Sequence, residues 1–230
     1  MLVAVSAAHG RHAITRAWAI HTASLGIDGI VVSVTEDDDE NVRTLSQYMN
    51  VIVLRVPNEP LSMKFNEAMN VARSMSPDKV MILPSDDFVS PAWVQAARDT
   101  PHDYIYPHTC GIMDAYTQRA YLIRKVPLTG TLRFGAGRVV SNKVIEKLEG
   151  ELWPIDLPKG LDSASHARIT RAGFDCQIVR TEGIPVLDVK TEENLWGYRT
   201  WESGSEPIAA DVALQHVHPE ALAIINTLKR

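Results

Sequence analysis

The chain has 230 residues, of which 45% are hydrophobic and 22% are charged, and its formal net charge is -5 at pH 7. A chain of this length and apolar content can bury a substantial core, and its lack of a basic excess argues against non-specific nucleic-acid binding, although a local basic groove stays open. Because the sequence has neither a basic leader with a long apolar run nor a stretch near the roughly 18 apolar residues of a membrane span, we expect a cytoplasmic protein.

The first half of the sequence alternates short apolar runs with segments of helical periodicity. Four runs without polar alternation predict strands, at 2–6, 29–34, 51–56 and 79–83. Apolar residues recur at helical spacing over 14–25, and helical patterns also follow the second and third runs. Aliphatic runs suit strands buried on both faces, and repeated strand–helix units form parallel sheets. The sequence therefore predicts an α/β fold with a mostly parallel sheet.

The second half is less regular. Short strands are expected at 103–107, 119–125, 176–180 and 186–189. Ser141 is a candidate cap for a helix that ends at Gly150, and a further helix over 161–172 ends at Gly173. Because no Pro/Gly/Ser-rich linker separates the halves, we expect a single domain of residues 1–230.

Two adjacent carboxylates follow the fourth predicted strand, in the segment MILPSDDFVSP. Ligands of open parallel sheets bind outside the carboxyl ends of the strands, and Asp86 and Asp87 stand at that end. A divalent cation such as Mg²⁺ or Mn²⁺ relieves the repulsion of two carboxylates and binds substrate phosphates at the same time. The alternative is an Asx-type turn in which one of these residues caps the helix near Pro91.

Familiar nucleotide and metal motifs are missing from the sequence. The segment SAAHGRHA after the first strand has one glycine and no G-x-G-x-x-G, and no G-x-x-x-x-G-K-[ST] occurs. Cys110 and Cys176 are isolated, which favours neither a disulfide framework nor a thiolate zinc site. A dinucleotide-binding domain, a P-loop and a zinc centre are therefore not expected.

Three segments together carry a family resemblance: 58–91 with the paired acids, GAGRVVSNKVIEKL, and GLDSASHARITRAGF. Over roughly residues 2 to 200 the chain resembles the GT-A glycosyltransferases, particularly the inverting family 2 type. The resemblance implies a Rossmann-like, mostly parallel sheet flanked by helices, with a mixed acceptor-side half. It divides the chain into a nucleotide-sugar-binding half, 1–100, and an acceptor-binding half with a C-terminal tail, 101–230.

The resemblance also implies a metal centre and a catalytic base. Asp87 matches the metal ligand of the Asp-x-Asp motif, whereas Ser85 stands at the first acidic position, so Asp86 is expected either at the Mn²⁺ or Mg²⁺ ion or at the ribose. His218, with His216 nearby, is a candidate to complete the metal shell. Asp162 matches the carboxylate base, and its alternative role is a helix cap.

The remaining expected contacts concern the donor, a nucleotide diphosphate sugar that is expected to be UDP-linked. Backbone contacts to uridine are expected at the end of the first strand, base contacts in the acidic run 35–40, diphosphate contacts after the first strand, and donor support before the fourth strand. Ser6 and Ala7 are the candidates for the uridine, and one acid among Glu36, Asp37 and Asp38 is the candidate for the base. Arg11 is the candidate for the diphosphate, and Lys64 and Asn66 are the candidates for donor support.

The acceptor is left open by the sequence among a glycan, a lipid-linked sugar and a modified nucleic acid such as a hydroxymethylated base. Arg133, Arg138 and Lys143 are expected either to border the acceptor cleft or to form a solvated loop. The rival functions are a nucleotidyltransferase of similar architecture, which usually has a glycine-rich basic loop after the first strand, and a non-catalytic binding module.

Overall fold

The computed structural model describes residues 1–124, 135–191 and 205–230. The described strands are β1 (Leu2–Ala8), β2 (Gly29–Thr35), β3 (Val51–Val56), β4 (Lys79–Ile82), β5 (Asp87–Val89), β6 (Tyr104–Pro107), β7 (Thr109–Asp114), β8 (Ala120–Arg124), β9 (Val139–Ser141), β10 (Gln177–Val179), β11 (Val186–Lys190) and β12 (Glu206–Ile208). The described helices are α1 (His12–Ser24), α2 (Asp39–Leu45), α3 (Leu61–Ser74), α4 (Pro91–Asp99), α5 (Asn142–Lys147), α6 (Leu161–Arg171), α7 (Ala210–Leu214) and α8 (Pro219–Thr227).

A seven-stranded sheet forms the larger layer, in the order β10-β6-β9-β4-β1-β2-β3. The first four strands run parallel to one another, as the sequence predicts, and β9 lies antiparallel between β4 and β6. Every position of β1 and β2 is buried, because these central strands are covered on both faces and their aliphatic side chains have no solvent-facing side. The predicted mixed α/β class is confirmed.

Helices complete the core around this sheet. Helix α3 packs against β1 and β2, while α1 packs against α8 near the carboxyl terminus. The largest fully buried side chains include Trp18, Trp93 and Trp153. Burial of each tryptophan removes roughly 150–250 Å² from water, so each of these three residues makes a large individual contribution to the apolar core.

A second, five-stranded sheet has the order β12-β8-β7-β11-β5. Its edge strand β5 follows β4 after a four-residue connection, 83–86, and pairs antiparallel with β11. The chain therefore passes from the first sheet to the second through Asp86, and the paired acids lie at the junction of the two sheets.

Several elements differ from the sequence prediction. The strands β5, β7, β9 and β12 were not expected, because three to six residues carry little periodic signal and their pairing depends on distant parts of the chain. The two C-terminal helices, of five and nine residues, were not expected either. The predicted strand 119–125 is described only up to Arg124. Among the described residues, none of the helices is both long enough and apolar enough to cross a bilayer.

Candidate functional site

The paired acids are joined by a third carboxylate, Asp188 of β11, which the sequence analysis did not identify. Asp188 is the register partner of Asp87, and the adjacent position is hydrogen-bonded, with Val189 N donating to Asp86 O at 2.9 Å. Asp87 and Asp188 therefore form a non-hydrogen-bonded pair, in which the two side chains lie closest and on the same face. Both are buried.

Burial and mutual repulsion shift the titration of these two carboxyls. Burial raises the pKa of Asp87 well above its ordinary value, and the charges of Asp188 and Asp86 raise it further. Burial likewise raises the pKa of Asp188 to about 6, although Lys190 opposes the change. The protonated forms are favoured because the low-dielectric interior disfavours like charges. This part of the site needs positive charge.

Two cations of the chain itself supply part of that charge. Lys190 Nζ lies 2.6 Å from Asp188 Oδ2 and 4.0 Å from Asp86 Oδ2, and Arg11 Nη1 donates to Asp86 Oδ2 at 2.7 Å. Burial works against the charged form of Lys190, but the charges of Asp188 and Asp86 outweigh it and raise its pKa. Three carboxylates against two cations leave one negative charge in excess when all are ionised.

Arg11 reaches Asp86 because of the unusual backbone that precedes α1. Gly10 and Arg11 both have positive φ, of 56° and 45°, and for arginine this left-handed conformation costs about 1–2 kcal/mol. The turn is held from the other side by Asp38, whose carboxylate accepts from Gly10 N at 2.9 Å and from Asn41 N at 3.2 Å. The strained turn directs the predicted diphosphate-binding arginine toward the paired acids.

Lys64 connects the ends of the neighbouring parallel strands. Its buried ammonium group donates to Ala8 O at 2.9 Å, to Thr35 Oγ1 at 3.0 Å and to Asn58 Oδ1 at 3.4 Å. Burial lowers its pKa to about 8. Lys64 thus holds together the last residues of β1 and β2 and the loop after β3, and among its hydrogen bonds none is to the paired acids.

Asn66, two residues further along α3, is engaged elsewhere. Its amide donates to Trp153 O at 2.8 Å and accepts from Trp153 N at 3.2 Å, which uses both ends of the side chain. Ser62 makes a similar tie, donating to Ile155 O and accepting from Leu157 N. In the structure Asn66 therefore fixes the segment before α6, and its predicted donor contact stays a prediction.

The other predicted donor residues occupy the same edge of the sheet. Ser6 and Ala7 are buried near the end of β1, and the Ser6 hydroxyl has no hydrogen-bond partner among the described residues. Glu36 and Asp37 are exposed directly after β2, whereas Asp38 is buried as the cap of α2. Of the three acids, Glu36 and Asp37 are the ones accessible to a ligand.

Asp162, the predicted base, lies in the first turn of α6 with 41% of its side chain exposed. Arg138 donates from Nη2 to Asp162 Oδ1 and from Nη1 to Asp162 O, both at 3.1 Å. The charge of Asp162 contributes to raising the pKa of Asp87, so the two carboxylates act on one another across the site. The N-cap position of α6 is Gly160 and no side chain caps the helix, so Asp162 lies in the first turn without serving as the cap.

The C-terminal histidines do not join the carboxylates. The ring of His218 caps α8 by accepting from Glu220 N at 3.4 Å, and its backbone N donates to His21 Nδ1. His216 donates to the carbonyl of Phe88 at 2.9 Å. Within residues 1–124, 135–191 and 205–230, no group of three or more His, Cys, Asp or Glu is arranged to hold a metal. The structure thus gives His218 a capping position in place of the predicted metal ligation.

The predicted acceptor cations also need correction. Arg138 is 1% exposed, so its side chain does not line an open cleft. Its guanidinium group donates to Asp162 instead. Lys143 is exposed and lies 3.5 Å from Asp103. Arg133 and the aromatic segment 196–201 lie outside the described residues.

Asp188 was missed although it lies in the predicted strand 186–189, and Lys190, which directly follows that segment, was missed as well. The signal was present in the sequence VLDVK, in which two charged residues alternate within an otherwise apolar run. Residues i and i+2 of a strand share one face, so an acid and a base at this spacing form a buried pair on that face. Charges inside a buried strand are the pattern to look for.

The sequence matches no family model and no curated protein. Among solved structures, the chain is similar to 4-diphosphocytidyl-2C-methyl-D-erythritol synthase from Anaerococcus prevotii DSM 20548, with 13% identity, a TM-score of 0.56, and coverage of 84% of this chain and 94% of that one. It is also similar to the inositol-1-phosphate CTP transferase from T. maritima, with 10% identity, a TM-score of 0.55, and coverage of 94% and 97%.

A third similar structure is S. aureus TarS 1-349, with 11% identity and a TM-score of 0.52. The match covers 82% of this chain but only 60% of that one. At these identities the similarity concerns the fold: the chain has the α/β architecture shared by nucleotidyltransferases and GT-A-like proteins, with a parallel-rich sheet and flanking helices.

Proposed function

We propose that the chain is a transferase that binds a nucleotide diphosphate sugar at the carboxyl edge of β1 to β4 and moves the sugar to an acceptor hydroxyl with inversion. The observation that carries the proposal is Asp162: it is partly exposed, held by Arg138, and close enough to Asp87 to influence its titration. Removal of a proton from an acceptor hydroxyl requires a carboxylate held in a fixed position near the donor site, and Asp162 is such a carboxylate.

The chemistry of the nucleophile distinguishes this proposal from nucleotidyl transfer. In nucleotidyl transfer to a sugar phosphate the attacking group is a phosphate oxygen that is already ionised, so no base is needed. A sugar or alcohol hydroxyl is neutral and must lose its proton as it attacks the anomeric carbon. Asp162 therefore has a function in glycosyl transfer and has none of this kind in nucleotidyl transfer.

The donor is held by the chain's own groups at the sheet edge. Arg11 is a fork donor suited to a diphosphate oxygen, and Lys190 is a point charge beside it. Lys64 keeps the three loops of the nucleoside site together. Glu36 and Asp37 are the exposed acids available to contact the nucleoside base. Ser6 and Ala7 lie buried beneath it near the end of β1 and offer backbone contacts.

The carboxylates fit a divalent cation that arrives with the diphosphate. Asp188 Oδ1 is a buried acceptor without a hydrogen-bond partner among the described residues, and the group has one negative charge in excess. Asp87 and Asp188 would hold Mn²⁺ or Mg²⁺ together with oxygens of the diphosphate, and Asp86, which accepts from Arg11, would contact the ribose. The cation supplies charge stabilisation for the leaving diphosphate.

Nucleotidyl transfer is the second candidate, because two of the similar structures are, by their names, a CTP transferase and a diphosphocytidyl compound synthase. The predicted cytoplasmic location and single-domain organisation are compatible with both glycosyl transfer and nucleotidyl transfer. The acceptor stays open among a glycan, a lipid-linked sugar and a modified nucleic acid.

Product analysis separates the candidates. A panel of nucleotide sugars and nucleoside triphosphates is first screened by thermal shift with and without Mn²⁺, because a ligand that binds the native state raises Tm. The best nucleotide sugar is then incubated without acceptor, and we expect slow release of the nucleoside diphosphate. Release of pyrophosphate from CTP or UTP with a sugar phosphate, without donor hydrolysis, would instead establish the nucleotidyltransferase. Stabilisation without any product would indicate a binding module.

A further inference from the structure

Arg138, immediately before β9, is among the largest fully buried side chains, at 1% exposure. An interior guanidinium group is costly unless its donors are used, so its contacts indicate why it is there. Two of its donors go to a single residue, Asp162, one to the carboxylate and one to the backbone carbonyl. These two hydrogen bonds fix the orientation of the Asp162 side chain in the first turn of α6.

The arginine is itself held in place. Its guanidinium group lies over the Trp153 ring, 5.9 Å from the centroid. Trp153 is fixed in turn by both ends of the Asn66 amide. Contacts therefore run from α3 through Trp153 and Arg138 to Asp162, and each group in the series is buried except the last.

Gly135 reserves the space for the same carboxylate. A Cβ atom at Gly135 would lie 1.8 Å from Asp162 Oδ1 and 2.9 Å from Arg138 Nη2. Only a residue without a side chain lets the backbone approach the ion pair this closely. Among the described residues, Arg138 holds Oδ1 and none holds Oδ2, which leaves that oxygen for a ligand.

We propose that Arg138 is a positioning residue for the reaction: with Gly135 it holds Asp162 Oδ1 so that Oδ2 meets the acceptor hydroxyl. The inference rests on the proposed function, because it assigns the geometry of the base of that reaction. Arg138 acts through Asp162 and touches neither substrate. The assignment replaces the expectation that Arg138 binds an anionic acceptor.

The kinetic test is a double-mutant cycle with Arg138→Lys and Asp162→Asn. Lysine keeps the charge but cannot make both bonds of the fork, and we expect kcat for transfer to fall by about 10²-fold, as for a misplaced catalytic group, with an unchanged Kd for the donor. In the Asp162→Asn background the same change should cost almost nothing further, because its effect passes through the missing carboxylate. Equal losses in both backgrounds would overturn the proposal.

Two further variants guard against general damage. Gly135→Ala alters neither charged residue chemically but displaces the Asp162 side chain, so it should reproduce the loss in kcat. Arg168→Lys changes a partly exposed arginine of the same helix, which pairs with Glu151 at 3.4 Å, and should leave kcat unchanged. A loss in Arg168→Lys as large as in Arg138→Lys would mean that α6 is merely sensitive to substitution.

A crystal structure of the Arg138→Lys variant beside that of the parent gives a readout that does not depend on activity. We expect a single Asp162 rotamer in the parent and a turned or divided one in the variant. An unchanged rotamer would refute the positioning role even if every donor tested proved inactive. Absence of sugar transfer in the parent, together with a displaced rotamer, would refute only the proposed function.

Discussion

Asp87 of β5 and Asp188 of β11 face each other across a non-hydrogen-bonded position of two antiparallel strands, in the interior of the protein. Two like charges directly opposite one another destabilise a sheet, and burial increases the cost. Lys190 and Arg11 compensate only part of it. The arrangement is unfavourable for folding alone, and for this reason the proposed function assigns a divalent cation to it.

The first prediction is that Asp87→Asn stabilises the protein while removing donor binding. The amide keeps the shape of the carboxyl but carries no charge, so the repulsion from Asp86 and Asp188 ends. We expect a gain on the order of 1 kcal/mol at neutral pH, or roughly 2–4 °C in Tm for a chain of this size. Calorimetry measures the first effect, and titration with Mn²⁺ and the preferred nucleotide measures the second.

Asp188→Asn is the matched control for this change. It also removes a buried carboxylate, but it leaves the buried ammonium group of Lys190 without the charged partner that lies at 2.6 Å. Breaking one side of a buried pair costs about 3 kcal/mol, so Tm should fall. If both variants shifted Tm in the same direction, repulsion between Asp87 and its neighbours would not be the cause. Donor affinity that survived Asp87→Asn would contradict the metal assignment.

The second prediction concerns pH. The pKa of Asp87 is raised by burial and by neighbouring charge, and that of Asp188 is raised to about 6, both from an ordinary 3.8. A carboxyl with a raised folded-state pKa binds its proton more tightly when folded, so its contribution is complete below pH 3.8 and is lost as pH rises through the raised pKa. The parent should therefore lose stability relative to Asp87→Asn as pH rises from about 3.8 through the raised pKa of Asp87. Parallel Tm curves for the two proteins would contradict it.

The sheet that positions the site was predictable, because each of β1 to β4 is a continuous aliphatic run whose meaning does not depend on distant residues. The position of Asp87 at the end of β4 followed from the same reasoning. Its partner did not. Asp188 reaches it only because a three-residue strand, β5, pairs with a segment about a hundred positions later, and strand pairing of that range leaves no local pattern.

The same limit applies to individual side chains. Lys64 and Asn66 were identified as residues of interest, but their sequence context could not distinguish a ligand contact from a structural one. Both turned out to have protein partners, in loops of the first half for Lys64 and at Trp153 for Asn66. Arg138 was expected near the acceptor, and only the burial of its guanidinium group and its fork to Asp162 identify it as a support.

The third prediction tests whether Lys64 supports donor binding directly or only through the stability of the protein. Lys64→Met leaves three hydrogen-bond acceptors, on Ala8, Thr35 and Asn58, without the ammonium group that they share. The free energy of unfolding should fall by about 1–3 kcal/mol, and binding of the nucleotide sugar should weaken. Lys79→Met is the control, because Lys79 Nζ donates to the carbonyls of Ala97 and Arg98 at the opposite edge of the sheet.

Chemical denaturation and donor titration on both lysine variants give the comparison. The control should lose stability but keep its donor Kd, since its contacts lie at the amino end of β4, away from the paired acids. Equal loss of affinity in Lys64→Met and Lys79→Met would mean that the loops respond to stability alone. Unchanged affinity in Lys64→Met would remove Lys64 from the donor site.

The last prediction addresses Asp162 directly. In Asp162→Asn the amide keeps the size of the side chain and can still accept from Arg138, so the fold and the donor site should persist. Loss of the charge in the first turn of α6 should cost about 0.3–1 kcal/mol through the helix dipole. A further cost arises because the buried guanidinium group of Arg138 loses its charged partner. Transfer to the acceptor should nevertheless fall by about two to four orders of magnitude, because the attacking hydroxyl keeps its proton.

Asp175→Asn, a change at an exposed carboxylate after the same helix, should leave transfer unaffected. Single-turnover rates with saturating donor measure the chemical step apart from binding. A parental rate in Asp162→Asn would reduce Asp162 to a favourable charge at the start of α6, and the case for glycosyl over nucleotidyl transfer would lose its main support.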